Sequence, residues 1–346
     1  MGLLVLDRRD MALRLDGDAA ALYEGGVRKG SVPLKLVDQL VVHGSGITLD
    51  AGVLGKLASQ GGVGVLLSGR YGRRVAYILG PGSNDIWARL AQARAVTDTA
   101  QIDAWAARLV QAKLRQHRLF LVAAMKLRPD VRKPLLDGVR RLDHELARLS
   151  TLQTPARNPG AAALRGMEGS AAAAYFKAFG ALFADSLAFT GRNRRPPLDP
   201  VNACLSLGYT LVHAQAVHAC QAAGLDPLMG LYHRPSFGRA SLASDLIEPL
   251  RARVDEWVWG LFRERQLRPE HFWRDGAACL LGKAGREHFY GAYSPLRRLA
   301  ERWLRVQCRA LARQWRADGK ALLPDGADDF DTDPASDLMT NEHDDT

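Results

Sequence analysis

The chain is poor in cysteine. Its 346 residues include only four, Cys204, Cys220, Cys279 and Cys308, and no two of them form a Cys-x-x-Cys pair. Cysteines scattered in this way exclude a disulfide framework and are typical of reduced thiols in the core of a cytosolic protein. The first ten residues also lack the pattern of a secretory signal, because their apolar run is short and the charges follow it. We therefore expect a cytoplasmic protein.

Charged residues are missing from one long segment, 200–225. Polar side chains nevertheless interrupt this segment, namely Asn202, Ser206, His213, Gln215, His218 and Gln221. A membrane span would carry few of them, so the segment is interpreted as a buried central helix and no membrane association is expected. His213 and His218 are accordingly interpreted as core or helix-packing residues.

Acidic residues are scarce outside the C-terminus. The formal net charge is +10, but residues 325–346 hold nine of the 37 Asp and Glu and no Lys or Arg. The preceding chain therefore sets 47 basic residues against 28 acidic ones, an excess of 19. An excess of this size, mostly arginine, favours a polyanion such as nucleic acid as the partner. A basic surface that serves only solubility is the alternative.

Apolar and polar residues alternate in short runs through the first eighty residues, and Gly and Asp separate the runs. This pattern predicts strands near 3–6, 12–15, 21–23, 32–36, 40–42, 63–67 and 73–79, with a short helix around 53–57. After Gly80-Pro81-Gly82-Ser83 the spacing becomes helical. Helices are predicted at 83–100, 102–127, 130–152, 161–189, 200–225, 245–265 and 296–315.

These patterns predict an α+β fold with two domains. Residues 1–80 would form a small N-terminal β-sheet domain with a short helix, and 81–84 a linker. Residues 85–322 would form a larger, all-α C-terminal domain, and 323–346 an acidic, disordered tail.

A histidine and two carboxylates lie in the stretch 230–248, which is rich in Gly, Pro and Arg. His233 is in the loop, and Asp245 and Glu248 follow it one helical turn apart. One imidazole with hard carboxylate oxygens suits a divalent metal near phosphate. Ordinary explanations remain open, because loop histidines are often only hydrogen-bonded and acidic residues are favoured in the first turn of a helix. A helix over 245–265 would place both carboxylates off its buried face.

A further carboxylate, Glu168, lies within an apolar stripe. At 100° per residue, Leu164, Ala171, Tyr175 and Leu182 fall within about 60° of it around the helix. A buried carboxylate needs a cation, a proton or a metal. An internal ion pair with Arg165 or another arginine and a metal site are both open at this point.

Three separated motifs are similar to those of the CRISPR-associated adaptation integrases, the universal Cas one subunit that inserts spacers into a CRISPR array. Leu-Arg-Gly-Met-Glu-Gly-Ser at 164–170 resembles the glutamate motif of that family. The run 230–248, from Gly-Leu-Tyr-His to Asp-Leu-Ile-Glu, resembles its histidine and acidic motif. Asp-Pro-Val-Asn-Ala-Cys-Leu-Ser at 199–206 resembles the segment between them. Motif order and spacing agree over about residues 1–320.

The resemblance implies a catalytic helical domain and a metal site. Glu168, His233 and Glu248 would be ligands of Mg²⁺ or Mn²⁺, with Asp245 as a ligand or an outer-shell group. Pro249, directly after the acidic pair, is expected to interrupt the helix and affect the aim of Glu248.

Basic residues within or near the motifs are candidates for contacts with DNA phosphates. They are Arg165, Arg192, Arg194, Arg195, Arg234 and Arg239, with Lys177 as a weaker candidate.

The resemblance further implies a metal-dependent endonuclease and integrase of CRISPR adaptation. A spacer DNA 3′-hydroxyl would attack a phosphodiester at a repeat boundary. Double-stranded DNA, a homodimer formed through the β domain and a dimer of the small Cas two subunit would be its partners. The alternatives are a nuclease of branched DNA without an integration role and a noncatalytic helical DNA-binding scaffold.

Overall fold

The computed structural model describes residues 2–69, 74–152, 159–193 and 196–322, and the descriptions below concern these residues. The predicted tail, Arg194 and Arg195 lie outside them.

Eight strands and one helix form the N-terminal part. They are β1 (Gly2–Leu6), β2 (Met11–Asp16), β3 (Ala19–Glu24), β4 (Val27–Pro33), β5 (Val37–His43), β6 (Thr48–Leu49), α1 (Ala51–Ser59), β7 (Val63–Ser68) and β8 (Arg74–Ile78).

The rest of the described chain is mainly helical. Its elements are α2 (Ile86–Ala95), α3 (Thr99–Leu127), α4 (Arg132–Leu152), α5 (Ala161–Gly180), α6 (Pro200–Ala222), α7 (Ser241–Ile247), α8 (Arg251–Arg263), β9 (Phe272–Asp275), β10 (Ala278–Leu281), α9 (Lys283–Ala292) and α10 (Ser294–Lys320).

The N-terminal strands form two four-stranded sheets. One has the order β1-β5-β7-β8, in which β1, β5 and β7 run parallel and β8 is antiparallel. The other has the order β4-β3-β2-β6 and is antiparallel except where β2 meets β6. Both sheets are therefore mixed, and four strands is an ordinary size.

Alternate residues of β5 face two different cores, as the period of two in a strand requires. Leu40 and Val42 pack with Val53 and Leu57 of α1 in a smaller cluster. Val41 belongs to the main cluster, which also contains the helices. The first sheet is therefore covered on both faces, by α1 and the second sheet on one side and by the helices on the other.

The uncharged segment forms α6, and most of its residues are buried, as predicted. This helix packs against α7, α8 and α10, while α3 packs against α4 and α5 and also meets α8. Asp199 caps α6 by accepting a hydrogen bond from the Asn202 N–H at 2.8 Å, a common N-terminal arrangement. None of the described helices is long and apolar enough to cross a membrane.

The α+β class is confirmed, but the expectation of an all-α C-terminal part is wrong. Residues 272–281 form the antiparallel hairpin β9-β10, whose strands have only four residues each. Strands this short carry little alternation, so sequence periodicity gives no clear indication of them. The residue boundaries of the two predicted domains stay a prediction.

Several predicted elements end elsewhere. The helix predicted over 161–189 ends at Gly180, and the segment 245–265 contains α7, a 3-10 turn at Glu248–Leu250 and then α8. Pro249 lies in that turn, where its missing N–H and fixed φ interrupt the α-helix. β4 covers Val27–Pro33, whereas a strand was predicted near 32–36. The prediction missed its start because this exposed edge strand lacks the alternation of apolar and polar residues on which the prediction relied.

Candidate metal centre

Three separate parts of the chain meet at one point between the helices. α3 supplies Lys113, α5 supplies Glu168, and the segment that includes His233 and Glu248 forms the third wall. The Lys113 side chain is 11% exposed, that of Glu168 21% and that of Glu248 3%. The three segments thus form a recessed group of charges that solvent reaches mainly from the side of Glu168 and His233.

The Asp245 carboxylate is fully buried and accepts five hydrogen bonds. Its Oδ2 accepts from the backbone N–H groups of Leu231 (2.9 Å) and Tyr232 (3.0 Å) and from Trp105 Nε1 (3.2 Å). Its Oδ1 accepts from the His233 backbone N–H (2.9 Å) and contacts His233 Nδ1 at 2.7 Å. A buried carboxylate requires such partners, and here they fix the backbone of three consecutive residues.

The bond to Asp245 decides how the His233 ring is presented. Since the carboxylate can only accept, Nδ1 must carry a proton, and in the neutral ring Nε2 then has the free lone pair. Nε2 lies 3.8 Å from Glu248 Oε1. A carboxylate behind a histidine is the usual arrangement that orients a metal-binding imidazole.

Lys113 connects the two outer carboxylates. Its Nζ lies 2.6 Å from Glu248 Oε2 and also forms an ion pair with Glu168 Oε1. The second Glu168 oxygen accepts a hydrogen bond from the Tyr232 hydroxyl, whose pKa is raised by burial and by the neighbouring Glu168 charge. The ammonium group therefore lies at the position where two carboxylates attract a cation.

Glu248 is ionised although it is buried. Burial alone would raise the pKa of its carboxyl group, but Arg251 and Lys113 together hold that pKa below its ordinary value. Arg251 Nε donates to Glu248 Oε1 at 2.7 Å. With two cations beside it, the Glu248 carboxylate stays ionised although it is buried.

A third buried carboxylate, Asp255, lies beneath the site. Tyr175 donates to its Oδ2 at 2.7 Å, and the Tyr209 hydroxyl donates to Oδ1. Burial raises the pKa of Asp255 to about 6. The Arg251 guanidinium carbon lies 4.8 Å from the centre of the Tyr209 ring, which links this layer to Glu248.

His117 lies in the same layer but is not an ion-pair partner of Asp255. The ring is stacked on Tyr175 with centroids 3.9 Å apart, and Nε2 is 4.0 Å from Asp255 Oδ2. Burial and the Lys113 charge lower the pKa of His117 well below its ordinary value, so the ring is neutral. It packs as an aromatic group.

Two carboxylates of this group reach the Lys113 ammonium, and the His233 imidazole lies beside one of them. As the side chains lie, the described ranges contain no group of three or more His, Cys, Asp or Glu arranged to hold a metal. Glu168, Glu248 and His233 nevertheless point toward Lys113 or toward one another, and oxygen donors with one imidazole suit Mg²⁺ or Mn²⁺. Asp245 has both oxygens committed elsewhere and fits a role behind the histidine.

The predicted polar placement of the acidic pair is wrong. Asp245 and Glu248 are both buried, because all but one residue of α7 are buried and the 3-10 turn after it shifts the faces of the following helix. The predicted apolar setting of Glu168 is confirmed by buried Leu164, Ala171 and Tyr175. The cation beside it is a lysine from α3 rather than an arginine.

The predicted DNA-binding residues fall into three groups. Arg165 and Arg192 line a cavity of about 360 Å³ that also includes Lys113 and Glu168. Lys177 lines a neighbouring cavity of about 660 Å³. Arg234 and Arg239 are exposed on the loop after His233, while Arg194 and Arg195 are not among the described residues.

Arg192 is also held by the protein itself. It donates to Asn202 Oδ1 at 2.8 Å and to Ser206 Oγ at 3.1 Å, and lies over the Tyr209 ring. The side chain is thereby fixed at the cavity wall, which suits a group that holds a ligand in one place.

Sequence analysis missed Lys113, Tyr232, Trp105, Arg251 and Asp255. For Lys113 a signal existed: at 100° per residue it lies within about 20° of Ala106, Phe120 and Ala124, all buried. A lysine in an apolar stripe needs an anionic partner, as Glu168 does. Asp255 carries the same signal, because it lies within about 60° of Ala252, Val258 and Trp259, all buried. No periodicity could have identified the other three, whose roles depend on contacts between distant segments.

A family model and individual relatives all match this chain to proteins named Cas1. The family model described as "CRISPR associated protein Cas1" matches residues 4–295. A CRISPR-associated endonuclease Cas1 from Thermodesulfovibrio yellowstonii is 32% identical over 309 residues, covering 89% of this chain and 92% of that protein. One from Rhodospirillum rubrum is 35% identical over 334 residues, covering 90% and 94%.

Solved structures show the same fold. A casposase bound to integration product has a TM-score of 0.78 at 21% identity and covers 92% of this chain and 91% of that one. A chain of a Cas6-RT-Cas1–Cas2 complex has a TM-score of 0.74 at 21% identity, covering 92% of this chain and 35% of that one.

The hydrogen bonds of Asp245 predict that it stabilises the protein without any metal. In Asp245→Asn an NH₂ group would face buried N–H donors, and each unsatisfied donor costs about 1–3 kcal/mol. We expect the free energy of urea unfolding in EDTA to fall by about 2–4 kcal/mol. Asp143→Asn, which removes an exposed ion pair with Arg118, should cost less than about 1 kcal/mol. Equal effects of the two variants would show that Asp245 has no such structural role.

The raised pKa of Asp255 predicts a specific pH dependence of stability. Folded Asp255 keeps its proton up to about pH 6, whereas the unfolded residue loses it near pH 3.8. The folded state thus binds more protons between these values, so the contribution of Asp255 to the free energy of unfolding falls as pH rises from about 4 to about 6. Asp255→Asn, which still pairs with both tyrosine hydroxyls, should gain about 2–3 kcal/mol on the wild type across that range. A stability difference independent of pH, measured by urea unfolding, would contradict the assignment.

Proposed function

Because the chain belongs to the CRISPR-associated Cas1 family, we propose that it is a metal-dependent DNA endonuclease and integrase of CRISPR adaptation. The observation that supports this most is that Glu168 and Glu248 share the Lys113 ammonium as their cation, with His233 Nε2 3.8 Å from Glu248 Oε1. The relatives named above carry the name endonuclease, and the casposase structure contains an integration product.

The three converging side chains would hold Mg²⁺ or Mn²⁺ when the Lys113 ammonium moves away. Such an ion polarises a phosphodiester and offsets the negative charge that develops in an in-line displacement. Asp245 keeps the His233 ring in the tautomer that leaves Nε2 free. Arg251 remains on Glu248 and limits the charge that the carboxylates bring to the site.

The substrate class follows from the charges around the cavity. Arg165 and Arg192 line the wall beside Glu168, and Arg234 and Arg239 are exposed next to His233. These groups would hold the phosphates of DNA on both sides of the reacting one. The chain-wide excess of basic residues adds affinity that does not depend on sequence.

The proposed reaction is the attack of a spacer DNA 3′-hydroxyl on a phosphodiester at a repeat boundary. The attacking hydroxyl gives up its proton to solvent and its oxygen bonds to phosphorus. The bond from phosphorus to the acceptor strand's own 3′ oxygen breaks, so that oxygen leaves and takes up a proton. With water as the attacking group, the same site acts as a nuclease. No covalent enzyme intermediate is required, and we propose none.

The proposed partners are double-stranded DNA, a second copy of this chain and a dimer of the small Cas2 subunit. A solved complex of similar fold contains Cas1 and Cas2. For the homodimer we propose the N-terminal sheets, where β4 presents an exposed edge. Two alternatives remain distinct: a nuclease of branched DNA without integration, and a noncatalytic DNA-binding scaffold in which the Lys113–Glu168 ion pair is only structural.

The proposal predicts which substitutions abolish activity. We expect Glu168→Gln, Glu248→Gln and His233→Ala each to lower Mn²⁺-dependent strand transfer at least about 100-fold. The assay joins a short duplex with free 3′-OH ends to a supercoiled plasmid that carries a CRISPR repeat. Glu256→Gln, which removes an exposed carboxylate of α8 paired with Arg253, is the matched control and should stay active.

The assay also separates the alternatives. A product set that contains only nicks would favour a plain nuclease. Full activity of all three variants with unchanged DNA binding would show that Glu168, Glu248 and His233 hold no catalytic metal.

The position of Lys113 predicts that it competes with the metal. In Lys113→Met, Glu168 and Glu248 lose their shared cation, so unfolding in EDTA should require about 1–3 kcal/mol less than in the wild type. Mn²⁺ should restore this loss, and the Mn²⁺-induced rise in unfolding midpoint should exceed that of the wild type. Lys177→Met, an exposed lysine of α5, is the control and should behave as the wild type. A variant that Mn²⁺ does not stabilise would contradict the shared cation position.

A further inference from the structure

Phe237 is exposed to an unusual degree. Its relative exposure is 108%, whereas the next most exposed large hydrophobic residue in the described part of the chain, Val27, reaches 59%. Single exposed hydrophobic residues are common on protein surfaces, but a phenylalanine without any cover places a full aromatic face in solvent. This residue lies on the loop that follows His233.

The backbone around Phe237 presents the ring outward. The Arg239 N–H donates to the Ser236 carbonyl at 3.0 Å, which closes a four-residue turn, and Gly238 has φ +71°. A positive φ at the third position is the requirement of a type II turn, and glycine meets it without strain. Phe237 is therefore the second residue of the turn, at the tip of the loop.

The base of this loop is fixed at the candidate metal centre. His233 is bound to Asp245 through both its backbone N–H and its ring, and Ser241 Oγ donates to the Arg234 carbonyl at 3.2 Å where the loop returns. Phe237 lies four positions after His233 in the chain, a span of at most about 14 Å. Since stacked bases follow one another at about 3.4 Å along each strand, this reach corresponds to roughly four nucleotides.

The charges on the loop select the partner. Arg234 and Arg239 flank Phe237 and are both exposed, and residues 231–244 contain no Asp or Glu. An aromatic face between two guanidinium groups combines base stacking with phosphate contacts, the combination by which proteins hold unpaired nucleic acid strands. The loop composition thus favours a nucleobase over an apolar protein surface as the occupant.

We propose that Phe237 stacks on an unpaired nucleobase of the bound DNA, within about four nucleotides of the phosphodiester at the metal centre. Arg234 and Arg239 hold the phosphates on either side of that base. This inference rests on the proposed function, since it takes DNA as the ligand of the site, and it adds an aromatic residue to the groups that contact the DNA.

The test is a binding experiment that does not require catalysis. Duplexes with single-stranded 3′ ends carry 2-aminopurine at successive positions, and fluorescence and affinity are measured in EDTA. Wild type should quench the probe at one or two adjacent positions. Phe237→Ala should lose that quenching and bind about 5- to 150-fold more weakly, while Phe237→Trp should retain both. Leu127→Ala, at an exposed residue at the end of α3, is the matched control.

The outcomes separate this inference from the proposed function. Quenching and affinity of Phe237→Ala equal to the wild type would overturn the assignment, as would equal loss in the Leu127→Ala control. Wild-type protein that quenches through Phe237 but joins no DNA in the plasmid assay would support the stacking role and overturn the integrase proposal. The urea unfolding midpoint of Phe237→Ala should not change, because the side chain has no buried contacts to lose.

Discussion

The buried carboxylate of Asp245 is the group on which the rest of the site depends. It accepts from three consecutive backbone N–H groups, from the Trp105 indole of α3 and from the ring of His233. One side chain thus fixes the loop backbone, joins that loop to α3 and selects the histidine tautomer. Removing it would leave several buried donors without acceptors, which is far more costly than losing one exposed ion pair.

Electrostatic balance explains why the other charges can be buried beside it. Glu168 and Glu248 face each other across the Lys113 ammonium, and Arg251 adds a second cation to Glu248. Beneath them Asp255 is held by two tyrosine hydroxyls, and burial raises its pKa. The site therefore keeps its carboxylates in place with internal cations.

The sequence predicted the strands and helices whose apolar residues recur at regular spacing. It did not predict elements too short to show such spacing. Alternation and helical spacing predicted most strands and helices, and the apolar stripe around Glu168 predicted a carboxylate that needs a partner. The hairpin β9-β10 and the edge strand β4 were missed or misplaced because neither alternates clearly. Asp245 and Glu248 were expected on a polar face because a continuous helix was assumed. A 3-10 turn of three residues changes that face by roughly 60°, and α7 is buried almost throughout.

Contacts between distant segments account for what no single stretch could reveal, such as Trp105 on Asp245 and Tyr232 on Glu168. We propose that Glu168, Glu248 and His233 share one cation position supported by Asp245. Its most direct test is an anomalous difference map from crystals grown with Mn²⁺. We expect one peak bonded to both glutamates and to His233 Nε2, with Lys113 Nζ displaced. A peak bonded to Asp245, or no peak with Lys113 still between the glutamates, would contradict it.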